Sequence, residues 1–261
     1  MAEPPRAVLV TGAAKRIGRA VALDLGHHGW DVVVHYDRSA AEAEEVAAEI
    51  RGLGRQAVAL AADLAREEEA QALVPRANQE LGPLTALVNN ASVFEHDSVA
   101  TARRQSWDHH VEINLRAPFV LIQAFAGQLP AGLEGNVVNI IDQRVWNLTP
   151  EFVSYTISKT GLWTLTKTLA LALAPEIRVN GVGPGPTLPS GRQTAAQFEA
   201  QCRSMPLGRG TTPAEICAAI RYILAAPAMT GQMIALDGGQ HLARTRTGPG
   251  GQIPQIPQIP E

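Results

Sequence analysis

The stretch Ala7-Val8-Leu9-Val10-Thr11-Gly12-Ala13-Ala14-Lys15-Arg16-Ile17-Gly18 decides the architecture. Residues 7–11 form a short apolar run closed by a glycine, the pattern of a buried strand. Beyond the turn, Ile17, Val21 and Leu25 recur at helical spacing, so a helix opens directly after it. A strand, a glycine-containing turn and a helix start bring free backbone N–H groups and the positive end of a helix dipole to one point, which suits a pyrophosphate. Gly12, Lys15, Arg16, Ile17 and Gly18 are therefore candidate contacts of a dinucleotide. Arg16 adds a permanent cation, placed beside the phosphates or beside an anionic or electron-rich substrate, with a solvated loop arginine as the plain alternative.

The same rhythm continues outward. Residues 31–35, 57–61, 86–89, 136–141, 178–182 and 233–236 read as further strands, separated by helical patterns, so βαβ units build a doubly wound parallel sheet of about seven strands. Ser39 with Glu42 and Thr212 with Glu215 have the spacing of capping boxes, the second with Pro213 at the first helical position. Between Gly183 and Thr212 a Pro-, Gly- and Ser-rich stretch breaks the rhythm; it is expected to hold one short helix near 195–202 and to cover a ligand. Residues 1–243 thus form one Rossmann-type domain, and 244–261, ending in a threefold Gln-Ile-Pro repeat, form an extended tail.

Composition narrows the function. A net charge of -3 gives no basic excess, so no nucleic-acid or anionic-membrane partner is expected. Cys202 and Cys217 are too few for a disulfide framework or a four-thiolate metal site, which fits a reducing compartment and no metal. With no leader-like or membrane-spanning run, a cytoplasmic protein acting on a small molecule is expected.

Near the end of the second strand, Val34-His35-Tyr36-Asp37-Arg38-Ser39 falls where a dinucleotide ribose would lie. An acid there favours a 2′-hydroxyl and a guanidinium favours a 2′-phosphate. Arg38 and Ser39, with Lys15 and His35 nearby, point to NADPH over NADH, and Asp37 pulls the other way. At the other end of the chain Tyr155 and Lys159 are four residues apart on one face of a long apolar helix. A neighbouring ammonium is expected to draw the phenol's pKa down and make Tyr155 a usable general acid.

Taken in order over residues 6–242, these features resemble the short-chain dehydrogenases/reductases and their T-G-x-x-x-G-x-G fingerprint, with Arg16 in place of the middle glycine. The resemblance implies that Asp63-Leu64 and Asn90-Ala91-Ser92 contact the adenine and the nicotinamide ribose. It also implies that Lys159 holds that ribose, that Asn114 anchors a proton-relay water, and that Pro184-Gly185 with Thr187 meets the carboxamide. Thirteen residues before Tyr155, where most of that family places a serine, this chain has Asp142. An ionised carboxylate only accepts hydrogen bonds and repels a developing alkoxide, so it suits a substrate with N–H donors or a C=N bond better than a ketone. Simple pairing of Asp142 with Arg144 is the alternative.

Arg16, residues 35–39, Asn-Asn-Ala-Ser-x-Phe at 89–94 and the Asp142, Tyr155 and Lys159 set together resemble pteridine reductases and bacterial dihydromonapterin reductases. That resemblance implies NADPH-dependent reduction of a dihydropterin or dihydrofolate-like C=N bond, a homo-oligomer of tetrameric type, and a pterin contacted by Arg16, Ser92, Asp142 and Tyr155 and stacked on Phe94. Phe94 as ordinary loop packing is the alternative. A carbonyl reductase acting on ketones, sugars or acyl groups, and a non-catalytic NADP-binding regulator, are the competing functions.

Overall fold

Along residues 7–10 the side chains alternate between two cores, Val8 and Val10 joining one and Ala7 and Leu9 the other, as a strand buried on both faces must. This is β1 (Ala7–Val10) in the computed structural model, which describes residues 6–191 and 193–243. With β2 (Asp31–Tyr36), β3 (Ala57–Ala61), β4 (Ala86–Asn89), β5 (Gly135–Ile140), β6 (Ile177–Pro184) and β7 (Met233–Leu236) it makes one parallel sheet in the order β3-β2-β1-β4-β5-β6-β7. The expected tail from residue 244 lies outside the described residues.

One face is covered by α1 (Arg16–His27), α2 (Ala40–Gly52) and α8 (Pro213–Ala225), which contribute Leu25, Ile50 and Ile220 to the first core. On the other face α3 (Glu67–Leu81) and α5 (Ala117–Gln128) contribute Leu73 and Phe125 to the second, where the far end of α6 (Val153–Ala172) adds Ala170. Strand order reverses between β1 and β4, so the loops leaving their C-terminal ends diverge and open a crevice, the usual ligand position of such sheets.

The helix starts divide. Thr212 and Glu215 cap α8 reciprocally, as their spacing predicts. Ser39 stands at the start of α2 at φ -92, ψ 60, outside the extended conformation of a capping residue, and makes no side-chain cap; the Glu42 carboxylate meets Lys15 Nζ at 2.7 Å. In the stretch between β6 and α8, α7 (Ala195–Arg203) forms where a short helix is expected, and Thr194 and Gln197 close a capping box that the pattern of charges did not reveal. Among the described residues no helix is long and apolar enough to cross a membrane, and no group of three His, Cys, Asp or Glu side chains is placed to hold a metal.

Candidate active site

At the reversal point, backbone groups organise the first turn. Thr11 Oγ1 accepts the Asn90 and Ala91 N–H groups at 2.9 Å each, and Asn90 Nδ2 donates to the Thr11 and Gly12 carbonyls at 2.8 and 3.1 Å. Gly12 sits at φ +61, and a Cβ at Gly18 would fall 2.1 Å from the Gly12 oxygen, so only glycine lets α1 close on the turn. The Gly12 N–H donates to His35 Nδ1 at 3.0 Å, which forces the ring proton onto Nε2, 3.0 Å from the Ala62 carbonyl. Burial pushes His35 down to about 4, so it braces the turn as a neutral ring and supplies no charge to a phosphate. Of the two groups expected near a 2′-phosphate, Lys15 and His35, only Lys15 therefore brings a charge.

Arg16 adopts φ +56, the left-handed region that glycine enters freely and arginine at a cost of roughly 1 kcal/mol. Its guanidinium spans to the segment after β6 and donates to the Pro189 and Leu188 carbonyls at 2.9 and 3.3 Å. At the ribose end Arg38 Nε is 3.3 Å from Asp37 Oδ2, and both side chains are exposed. Lys15, Arg16 and Arg38 line the same crevice, a cleft of about 880 Å³. Tyr36 and Ser39 do not line it: the Tyr36 side chain packs against the first core, and Ser39 begins α2.

The catalytic end is assembled from β5 and α6. Tyr155 Oη donates to Asp142 Oδ2 at 2.8 Å, and Asp142 Oδ1 accepts the Arg144 N–H at 2.8 Å, capping the single 3₁₀ turn Gln143–Val145. Asp142 thus pairs with the backbone of Arg144, while the guanidinium of Arg144 bonds Thr149 and lies 5.1 Å from the Phe152 ring centre. Lys159 stands one turn beyond Tyr155, buried, with Nζ donating to the Ile140 carbonyl at 2.8 Å. Burial, then the charge of Asp142 and its hydrogen bond, hold Tyr155 well above the usual phenol value; Arg144 opposes them weakly. The expected lowering by Lys159 is not present, because the ammonium is turned to the carbonyl and lies 5.9 Å from the phenol ring centre. Burial pushes Lys159 itself down to about 8.

Phe94 meets Tyr155 edge-to-face at 4.7 Å and stacks on Phe152 at 4.5 Å and 8°. Asn114 lies in a π-helical turn, Glu112–Arg116, and its side chain clasps the Val93 backbone in both directions and donates to Ser158 Oγ. Those bonds tie the side chain to the Phe94 loop and to α6. Gly185 packs where a Cβ would be 2.7 Å from Asp237 Cα, and Thr187 Oγ1 donates to the Gly185 carbonyl. Asp63, Leu64, Ala91, Ser92, Pro184, Gly185 and Thr187 line the cleft together with Asp142, Tyr155 and Lys159.

Residues 6–200 match the family model described as short chain dehydrogenase. This chain belongs to the short-chain dehydrogenase family. Among curated members, the 3-oxoacyl-[acyl-carrier-protein] reductase FabG of Staphylococcus aureus is 30% identical over 242 residues, covering 91% of this chain and 98% of its own length. Among solved structures, FolM alternative dihydrofolate reductase 1 from Brucella suis in complex with NADP is 48% identical, covers 92% of this chain and 96% of its own, and superposes with a TM-score of 0.89. FolM alternative dihydrofolate reductase 1 from Brucella canis, also complexed with NADP, is 46% identical with a TM-score of 0.88.

As a short-chain dehydrogenase the chain is an oxidoreductase, and its reacting end includes residues that sequence spacing did not single out. Gln143 and Gln240 both line the cleft and bury their amide oxygens without a hydrogen-bond partner among the described residues. Gln240 follows β7 at the C-terminal edge of the sheet, where ligand contacts of parallel sheets gather, and that position was the available signal. Phe152, Asp97, Ser154 and His110 surround the Phe94 loop and left no motif.

Proposed function

We propose that the chain is an NADPH-dependent reductase that delivers hydride to a C=N bond of a dihydropterin or dihydrofolate-like substrate. The observation that carries this reading is the 2.8 Å hydrogen bond from Tyr155 Oη to a carboxylate, Asp142, at the position where most of the family has a serine. The NADP complexes of the Brucella relatives support the cofactor, as do a first turn closed on glycine and two exposed cations, Lys15 and Arg38, at the ribose end. A 2′-phosphate would draw Arg38 from Asp37 and Lys15 from Glu42, exchanging exposed ion pairs for charge-assisted bonds to three oxygens. Gly12, Ile17, Gly18, Asp63, Asn90, Ala91, Pro184, Gly185 and Thr187 are the further cofactor contacts of this reading.

The bound nicotinamide supplies the hydride. Phe94 offers a ring on which a flat heterocycle stacks, and the Asp142 carboxylate accepts its N–H groups, with Arg16 and Ser92 at the rim. As the carbon gains hydride, the ring nitrogen takes a proton from Tyr155 Oη, which the high pKa keeps protonated through neutral pH. The phenolate left behind sits beside Lys159, mostly charged below about 8, whose ammonium offsets it once turned from the Ile140 carbonyl. An NADPH-oxidation screen over dihydropterins, dihydrofolate, ketones, sugars and acyl thioesters tests the reading. Turnover confined to the dihydropterins and dihydrofolate is expected, and turnover of acyl thioesters alone would favour the carbonyl chemistry in the name of the FabG relative.

A further inference from the structure

A buried chain of hydrogen bonds beside the site has a direction that can be worked out atom by atom. The Glu95 N–H points at His110 Nε2 from 3.0 Å. A backbone amide only donates, so Nε2 must carry the lone pair and, in the neutral ring, Nδ1 carries the proton. Nδ1 is 2.7 Å from Ser154 Oγ, and that hydroxyl, having accepted, donates onward in a short bond to the Asp97 carboxylate. Asp97 then returns twice to the start of α6: both carboxylate oxygens accept the Ser154 N–H at 3.3 Å, and its carbonyl accepts the Phe152 N–H at 2.7 Å. All three side chains are buried, and every bond in the chain has one allowed polarity.

The two ends of this chain fall next to the two rings of the substrate wall. Glu95 follows Phe94, and Ser154 precedes Tyr155. Phe152, fixed by Asp97, stands at φ +61, a left-handed backbone that a bulky residue adopts only under constraint, and from there stacks on Phe94. Asn114 ties the Phe94 loop to the second half of the fold one residue earlier, at Val93. The hydride and proton transfers above use none of His110, Asp97 or Phe152.

We propose that His110, acting through Ser154 and Asp97, is a positioning residue that locks the loop bearing Phe94 to the helix end bearing Tyr155, and that only its Nδ1–H tautomer does so. This rests on the reading of Phe94 and Tyr155 as the groups that face substrate. Several groups bear on the imidazole: Asp97 and Glu95 of the loop and the Ser106 carbonyl favour its cation, while His109 of its own helix, α4 (Arg104–Val111), opposes it. α6 presents Ser154 and the Tyr155 ring, 6.0 Å away between centroids. Burial outweighs the favourable groups and holds the ring below the ordinary imidazole range, hence neutral at pH 7. A proton added to Nε2 would set one N–H against another and release Glu95.

Imidazole ¹⁵N spectra of the full chain give a reading that needs no substrate: an Nδ1–H tautomer for His110 is expected, and an Nε2–H tautomer overturns the proposal. Kinetics give the second. His110→Phe removes both bonds and is expected to raise the substrate KM about tenfold while leaving the NADPH Kd within about twofold, since the chain does not reach the cofactor half. His110→Gln, whose amide oxygen takes the place of Nε2, is expected to keep KM within about threefold of wild type and to lack the rise in KM that protonation of His110 is expected to cause in wild type on acidification. If His110→Phe does not fold, His110→Asn, which keeps the donor toward Ser154 and loses the acceptor for Glu95, carries the same expectation. An unchanged KM in the variant that folds, or an equal loss of NADPH affinity, overturns the proposal. A wild-type enzyme inactive on dihydropterins would instead sink the substrate reading and leave the tautomer test standing.

Discussion

The two walls of the cleft are built on different terms. The wall formed by β1, β2 and the first turn is held by backbone: Thr11, Asn90 and His35 all bond main-chain atoms, and glycine at 12 and 18 sets the close approach. The wall formed by the ends of β4 and β5 and the start of α6 is held by side chains from separate segments, with Phe94 against Phe152 and Tyr155 and with Tyr155 bonded to Asp142. A backbone-built wall depends on local sequence and serves any dinucleotide of the class. A side-chain-built wall depends on partners tens of residues apart, and under the proposed function a single exchange there, such as serine to Asp142, redirects the chemistry.

The contrast breaks most visibly if chemistry and cofactor binding can be lost separately. Tyr155→Phe keeps the ring and its contact with Phe94 and removes the proton, so kcat is expected to fall about 10³-fold with the NADPH Kd unchanged, read by steady-state kinetics and cofactor titration. Near wild-type turnover would place proton delivery on another group. A smaller effect is expected at the other wall: Arg38→Ala should weaken NADPH about tenfold and NADH by less than twofold, read by equilibrium titration of both cofactors. Equal loss for both would remove Arg38 from the 2′-phosphate.

Much of the first wall was legible. The strand at 7–11, the turn and the helix face of Ile17, Val21 and Leu25 are all present, because glycine and helical spacing act over a few residues. β6 runs on to Pro184 beyond the predicted 178–182, since Gly183 and Pro184 pair with Ala235 and Leu236 of β7, a partner invisible from the segment itself. The glutamate half of the Ser39 box failed for a related reason: Glu42 found Lys15, which lies on the other side of β2 in the chain. That His35 is neutral and braces the first turn was not legible, because its low pKa comes from burial, a tertiary fact. At the second wall the spacing of Asp142, Tyr155 and Lys159 was readable. The direction of the Tyr155 shift was not, since it depends on where the Lys159 ammonium turns.

His35 also sharpens the comparison through stability. Its folded pKa of about 4 lies below the unfolded value near 6.5, so between those values the unfolded chain binds the proton and the folded chain does not. Stability should therefore fall as pH drops from about 6.5 to about 4, by up to about 3 kcal/mol, with the full contribution retained above 6.5. Denaturation midpoints across that window should show a shallower slope in His35→Gln, and an identical slope would mean that the ring is solvated in the folded state.

Under the proposed function Asp142 decides between the two chemistries, and Asp142→Ser measures it directly because serine restores the neutral donor of the wider family. Steady-state turnover of the variant should be determined with a dihydropterin and with a simple ketone, alongside NADPH binding. The account predicts unchanged NADPH affinity, dihydropterin turnover reduced at least about 100-fold, and any new activity confined to the carbonyl compound. Full dihydropterin turnover by Asp142→Ser would contradict it, making the carboxylate incidental and returning the chain to the carbonyl reductases.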